Sequence, residues 1–362
     1  MSKAASYRDF DWFLLLLALG IAAIGIIEIY STTVHTALAT QYKRQIYWVL
    51  IGCVLAIAIS RFDYRIIVEQ VPWIYLFSIL ALLAVLVSGH SASGARRWLK
   101  IGALTFQVSE LVKLVIIVAV AAYLASRREK SVTWRDLVVL GVLVGAPAAL
   151  VAIEPDLGTS LTFFPIVAAG LFLAGIRVRQ VLALLLLGIL ILPVGWHFLK
   201  PYQRERVMTF IHPAENTQGS GYQSSQAKIA IGSGGFWGKG IGNGTQSRLG
   251  FIPVSHADFI FASFAEEQGF VGTLLVLLLY FALLVRLLDG AQTAGERAGA
   301  FVLVGFASLL FFQVAVNVGM MIGFLPVTGI PLPLMSQGGS STLITFLGLG
   351  LAMSVKMRRF VN

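Results

Sequence analysis

A chain of 362 residues that is 57% apolar and only 12% charged, with a mean hydropathy of +0.85, excludes a water-soluble enzyme built on one core. It reads as a polytopic membrane protein. The net charge of +10 suits anionic head groups or a phosphorylated ligand but names neither, because basic cytoplasmic loops alone yield a basic total. The single cysteine, Cys53, excludes an intramolecular disulfide and a multi-cysteine metal site, and is expected as a small packing residue.

The amino end, MSKAASYRDFDW, enters an apolar run with no small-residue cleavage site, so the first span is expected to be uncleaved. Apolar runs near membrane length, roughly 17 to 25 residues, lie at 13–30, 46–60, 72–88, 105–125, 135–153, 158–175, 179–198, 262–285, 299–323 and 334–355. The expected fold is therefore an all-α integral membrane protein of ten transmembrane helices. It forms one polytopic domain over 1–362, with a large extracytoplasmic loop at about 201–261 between the seventh and eighth helices. With the amino terminus inside, fifteen Lys and Arg fall in cytoplasmic segments against five in short outer loops, which places both termini in the cytoplasm. No fixed-period repeat or low-complexity tract occurs.

The outer loop opens with PYQRERVMTFIHP, read as a short helix in the membrane interface. It continues through the most unusual stretch of the chain, Gln218 to Gly272, where eight glycines between Gly232 and Gly250 call for close backbone approach or positive φ. Neither a Walker pattern nor a GxGxxG turn fits these glycines. Asp258, at the start of the eighth run, is either a helix cap or a general base acting on a hydroxyl at the membrane surface. His256 either orients it, binds phosphate, or is a hydrogen-bonded loop histidine.

Glu110 and Lys113 share a helix face in the fourth run and read as a buried ion pair or as a functional intramembrane pair. Asp156 caps the sixth helix or meets a ligand, and the outer carboxylates leave room for a hard divalent cation that nothing in their spacing requires. Arg96, Arg97, Trp98 and Lys100 form a basic, aromatic loop that anchors at the interface or binds pyrophosphate. Arg204, Arg206, Lys228, Lys239 and Arg248 would add to one anionic site. Gln313 and Asn317 read as interhelical glue. Ser336 to Ser340 open the tenth helix at the outer surface, where small residues permit close packing and N–H groups are available to a phosphate.

In order, GxGY, IAIGSGG, GKG, GTQS, HxDFIFA and EExGFxG resemble the SEDS family of cell-wall polymerases. So do RRWL at 96–99, FQVSELVK at 106–113, EPDLGTS at 154–160 and PLPLMSQGGSS at 331–341. GTQS looks more like the RodA branch, which serves elongation, than the FtsW branch, which serves division. The resemblance implies a peptidoglycan glycosyltransferase that polymerises lipid II into glycan strands at the outer face of the bacterial cytoplasmic membrane. Asp258 matches the family's essential aspartate, and Trp98, Glu110, Lys113 and Asp156 match other positions of the pattern. Substrate contacts are expected at these four and at Arg96, Lys239, Arg248, His256, Ser336 and Gln337, with no metal held by side chains. Mg or Mn is the cofactor to consider, and a class B penicillin-binding protein the expected partner, with no nucleic acid. Val254 followed by Ser255 interrupts the family's LPE-H pattern and Ala257 replaces a Thr, which removes any role for that Glu here. A flippase of the lipid-linked precursor, or a non-catalytic scaffold of the elongation machinery, is the alternative.

Overall fold

The computed structural model describes residues 10–88, 90–92, 95–101, 104–127, 129, 131–212, 219–252 and 255–359. In chain order these form α1 (Trp12–Thr33), α2 (Gln41–Arg61), α3 (Tyr64–Glu69), α4 (Val71–Ser88), β1 (His90–Ala92), β2 (Ala95–Ile101), β3 (Leu104–Gln107), α5 (Val108–Ser126) and α6 (Trp134–Ile153). Then follow α7 (Leu157–Leu161), α8 (Phe163–Leu173), α9 (Val178–Phe198), α10 (Pro201–Ile211), α11 (Ser220–Gly234), α12 (Thr245–Arg248), α13 (Ile260–Gln292), α14 (Arg297–Ile322) and α15 (Gly339–Met357).

Eight of these helices, α1, α2, α5, α6, α9, α13, α14 and α15, are long and apolar enough to cross a membrane. The runs at 72–88 and 158–175 are helical but shorter, and the second is divided into α7 and α8 at Thr162. Three expectations change. The run at 105–125 begins as strand β3 and becomes helix only at Val108, and what reads as an outer loop at 90–107 is a three-stranded antiparallel sheet in the order β1-β2-β3. The long outer segment holds α10 at the expected short helix, but also α11 and α12, where a loop is expected. The last helix starts at Gly339, so Ser336 and Gln337 precede it; Leu334 in the left-handed region at φ +66° and Gly338 at φ 172° keep this segment out of helical geometry.

The chain divides into two compact units interleaved in sequence. The first comprises Met1–Tyr64, Thr209–Gly295 and Leu310–Asn362, and the second Arg65–Met208 and Glu296–Leu309. In the first, α2 packs along α15, and α1 and α11 pack on α13. Asp11 caps α1 by accepting from Leu14 N–H at 3.1 Å and ties three helices together, with Arg286 at 2.9 Å and Lys356 at 2.7 Å. Burial raises its carboxyl, but the hydrogen bonds from Lys356, Arg286 and Leu14 outweigh that and hold it below the usual carboxylate range.

In the second unit α5 is the central helix. It is buried on nearly every side by α4, α6 and α8, which explains why its sequence is apolar all round. By contrast α9 is just as apolar yet exposed along its length, the pattern of a helix that meets lipid in place of protein. Thr133 and Asp136 form a reciprocal capping box at the start of α6, and Arg127 pairs with Asp136 at 2.7 Å.

Candidate active site

The chain reaches Asp258 through a short turn, Ser255 to Phe259, that leads into α13. The N-cap of α13 is Phe259, with no side-chain capping bond, and Asp258 stands one residue before it. Asp258 is half-buried, next to Phe259, which is buried. Each of the three carbonyls preceding the cap accepts a hydrogen bond from a different donor. Gln337 N–H donates to His256 O at 3.1 Å, Ser336 Oγ to Ala257 O at 2.7 Å, and Asn317 Nδ2 to Asp258 O at 3.0 Å. His256 is itself half-buried, and burial pushes its imidazole below the usual histidine range, so it is neutral near pH 7.

The donors are themselves held. Asn317 is fully buried and gives its second N–H to Ile330 O at 2.8 Å, and Ser336 Oγ accepts from Leu332 N–H at 2.8 Å. Gln337 Nε2 donates to Gln41 at 2.8 Å, and Gln45 takes Gly338 N–H at 3.2 Å while donating to Thr342 Oγ1 at 2.9 Å. Tyr280 donates to Pro333 O, and Leu334 adopts the left-handed region at φ +66°. The Ser336–Gln337 segment thus meets backbone and amides of its own chain, where the sequence pointed to phosphate.

The glycine run serves backbone approach, and the approach is to α13. At Gly269 the helix breaks, with φ +65° and ψ −162°. At the break the loop after α11 exchanges four backbone hydrogen bonds with α13: Lys239 N–H to Glu266 O, Gly240 N–H to Glu267 O, Phe270 N–H to Gly235 O and Val271 N–H to Phe236 O, at 2.8 to 3.2 Å. A Cβ on Gly269 would lie 2.3 Å from Gly238 N, and one on Gly238 2.2 Å from Glu267 O. Only glycine fits at either position.

Lys239 is engaged here, donating to Glu266 at 2.6 Å and Thr245 Oγ1 at 2.9 Å. Glu266 is wholly buried and also takes the N–H groups of Thr245 and Gln246, while Glu267 takes the hydroxyl of Ser31 at 2.6 Å. Arg248, the last residue of α12, is exposed. Glu28, buried in α1, has an oxygen without a hydrogen-bond partner among the described residues. Glu28, Glu266 and Glu267 were not expected as site residues. Their signal is present in the sequence as carboxylates inside otherwise apolar runs.

The remaining candidates belong to the second unit. Glu110 and Lys113, in the first turns of α5, form an ion pair of 2.6 Å, both buried. Asp156 is the N-cap of α7: it accepts from Thr159 N–H at 3.2 Å, Thr159 Oγ1 at 3.0 Å and Gln107 Nε2 at 2.8 Å. Trp98 is half-buried on β2 opposite Gln107, so Gln107 links that strand pair to the Asp156 cap. Arg96 stands opposite Ser91 in the ladder; its side chain lies outside the described residues, as does Val254. Among the described residues no group of three or more His, Cys, Asp or Glu is placed to hold a metal ion.

The family model for the FtsW, RodA and SpoVE proteins, described as "Cell cycle protein", matches residues 10–360. The chain is 39% identical over 318 residues to the peptidoglycan glycosyltransferase MrdB of Escherichia coli K12, covering 88% of this chain and 86% of that one. Its fold is similar to a structure described as the structural coordination of polymerization and crosslinking by a peptidoglycan synthase complex, with TM-score 0.85, 34% identity, and coverage of 97% and 98%. It is also similar to the rod shape determining protein RodA of Thermus thermophilus, with TM-score 0.74, 31% identity and 98% of each chain covered. With nearly every residue matched in sequence and in fold, the chain belongs to the FtsW–RodA–SpoVE family, the SEDS proteins.

Proposed function

We propose that this chain is a peptidoglycan glycosyltransferase that polymerises lipid II during cell elongation, with Asp258 as general base. In this reading Asp258 removes the proton from the 4-hydroxyl of the acceptor GlcNAc as its oxygen attacks C1 of the donor MurNAc. The new C1–O bond forms with inversion and undecaprenyl pyrophosphate departs with the electrons of the old one. The observation that carries the assignment is that the turn bearing Asp258, just before α13, is held on three successive carbonyls by donors from elsewhere in the chain.

Glu110, Lys113, Asp156, Trp98 and Arg96 are proposed to serve the substrate's pyrophosphate and sugar. Mg or Mn, where required, is proposed to accompany the pyrophosphate, and no step is routed through it. The synthase complex of the structural relative supports a cross-linking partner, which we take to be a class B penicillin-binding protein. The excess of Lys and Arg on one side supports cytoplasmic termini in the bacterial inner membrane.

The test is glycan polymerisation from purified lipid II by the detergent-solubilised chain with its transpeptidase partner, comparing wild type with Asp258→Asn at equal folded concentration. Ladders from wild type alone are expected. Ladders of equal length and rate from both would remove Asp258 as the base. Lipid translocation in vesicles without polymer from either would favour the flippase.

A further inference from the structure

Asn317 and Ser336 stand out because neither is on the segment that carries Asp258, yet both direct their donors to its backbone. We propose that Asn317, Ser336 and the N–H of Gln337 form a three-point clamp on the carbonyls of residues 256–258, which makes Asn317 and Ser336 positioning residues for the base. The inference rests on Asp258 being that base.

A peptide chain has two soft dihedrals per residue, so an aspartate in an unconstrained turn samples many positions. Fixing the three peptide groups at His256, Ala257 and Asp258 from three independent donors removes that freedom on the side of the turn that no helix holds. The chemistry of the donors is unambiguous. Both bonds of Asn317 Nδ2 go to carbonyls, which only accept, so the amide orientation is settled by its partners. Ser336 Oγ receives the Leu332 N–H, so its own proton is directed to Ala257 O.

The clamp is also rigid on its far side. Gln41 and Gln45 of α2 bind Gln337 and Gly338, Tyr280 of α13 binds Pro333 O, and Leu334 is kept in the left-handed region, which a leucine adopts only where its surroundings dictate it. Simple helix–helix glue would join one helix to another. Asn317 instead joins α14 to two stretches of non-helical backbone, one of which is the turn of the base.

A residue that holds the base lowers turnover without changing substrate affinity, which separates it from a residue that only holds the fold. The full chain, with its transpeptidase partner, is assayed on lipid II as Asn317→Leu and Ser336→Ala. Gln313→Leu, on the same helix one turn away, is the control for disturbed packing. The expected result is a fall in kcat of about 10- to 100-fold in both clamp variants, with KM for lipid II within about twofold and melting temperatures no lower than the control. Unchanged kcat in folded variants, or a fall in kcat that tracks lost melting temperature as in the control, overturns the clamp. Should Asn317→Leu fail to fold, Ser336→Ala decides alone. Asp258→Asn is run alongside: an active Asp258→Asn overturns the base and the clamp with it. An inactive one beside clamp variants of normal kcat overturns the clamp alone.

Discussion

Replacing Gly269 by alanine tests the interlock between the glycine loop and α13. The residue sits at φ +65° and ψ −162°, a region open essentially to glycine alone, and the strain of forcing an alanine there is about 1 to 3 kcal/mol. Its Cβ would meet Gly238 N at 2.3 Å, with Phe236 O and Trp237 C at 2.8 Å. These are backbone atoms, which no rotamer change moves aside, and overpacking of this kind costs about 1 to 3 kcal/mol more. The alternative is for the loop to lift off, which sacrifices four backbone hydrogen bonds at about 0.5 to 1.5 kcal/mol each. Both routes converge on about 2 to 6 kcal/mol. For 362 residues at about 2 cal/mol/K of unfolding entropy each, that corresponds to a loss of about 3 to 8 °C in melting temperature. The assay is thermal unfolding of the purified protein in one detergent, with Gly232→Ala as the companion: Gly232 lies in helix α11 with nothing within 4 Å of an added Cβ, so alanine there should stabilise by about 0.5 to 1 kcal/mol. A Gly269→Ala protein that melts within about 1 °C of wild type, or alongside Gly232→Ala, would refute the interlock.

Four further outcomes are expected. Lys113→Met leaves Glu110 buried without its partner and should cost about 3 to 5 kcal/mol, whereas the double change with Glu110→Met should restore most of the stability; if polymerisation returns with stability, the pair is structural, and if it stays absent, the pair serves the substrate. Lys113→Ala should also harm activity more than Arg359→Ala, measured as polymer formed per folded protein. Because the Asp11 carboxyl is held below its ordinary value, its contribution is complete above about pH 4 and disappears as pH falls through the depressed value; melting curves against pH should show wild type losing stability there and Asp11→Asn, already weaker at pH 7, losing less. Asp156→Ala should cost about 1 to 2 kcal/mol through the lost cap, and Asp156→Asn less than half of that by chemical denaturation. A stable but inactive Asp156→Asn would mean that the charge, not the cap, is what the reaction uses.

The length and hydropathy of the runs were enough to locate the membrane helices, because only a helix satisfies its own backbone in lipid, so α1, α2, α5, α6, α9, α13, α14 and α15 were legible as helices. The Glu110–Lys113 pair followed from spacing alone, since residues three apart on a helix are neighbours. The glycine spacing announced close approach, and the motif order announced the family. The object approached did not show: that Gly238 meets Gly269 depends on bringing together residues 31 positions apart. The sheet of β1, β2 and β3 is not legible in the sequence because strand pairing is a non-local property and its segments are short. Asn317 read as glue, and nothing in its neighbours along the chain distinguishes it. Its partner, Asp258 O, lies 59 residues away. Tertiary structure decided what composition and spacing leave open, namely which buried donor meets which carbonyl, because a hydrogen bond requires two groups within about 3 Å and only the packed chain brings distant groups that close.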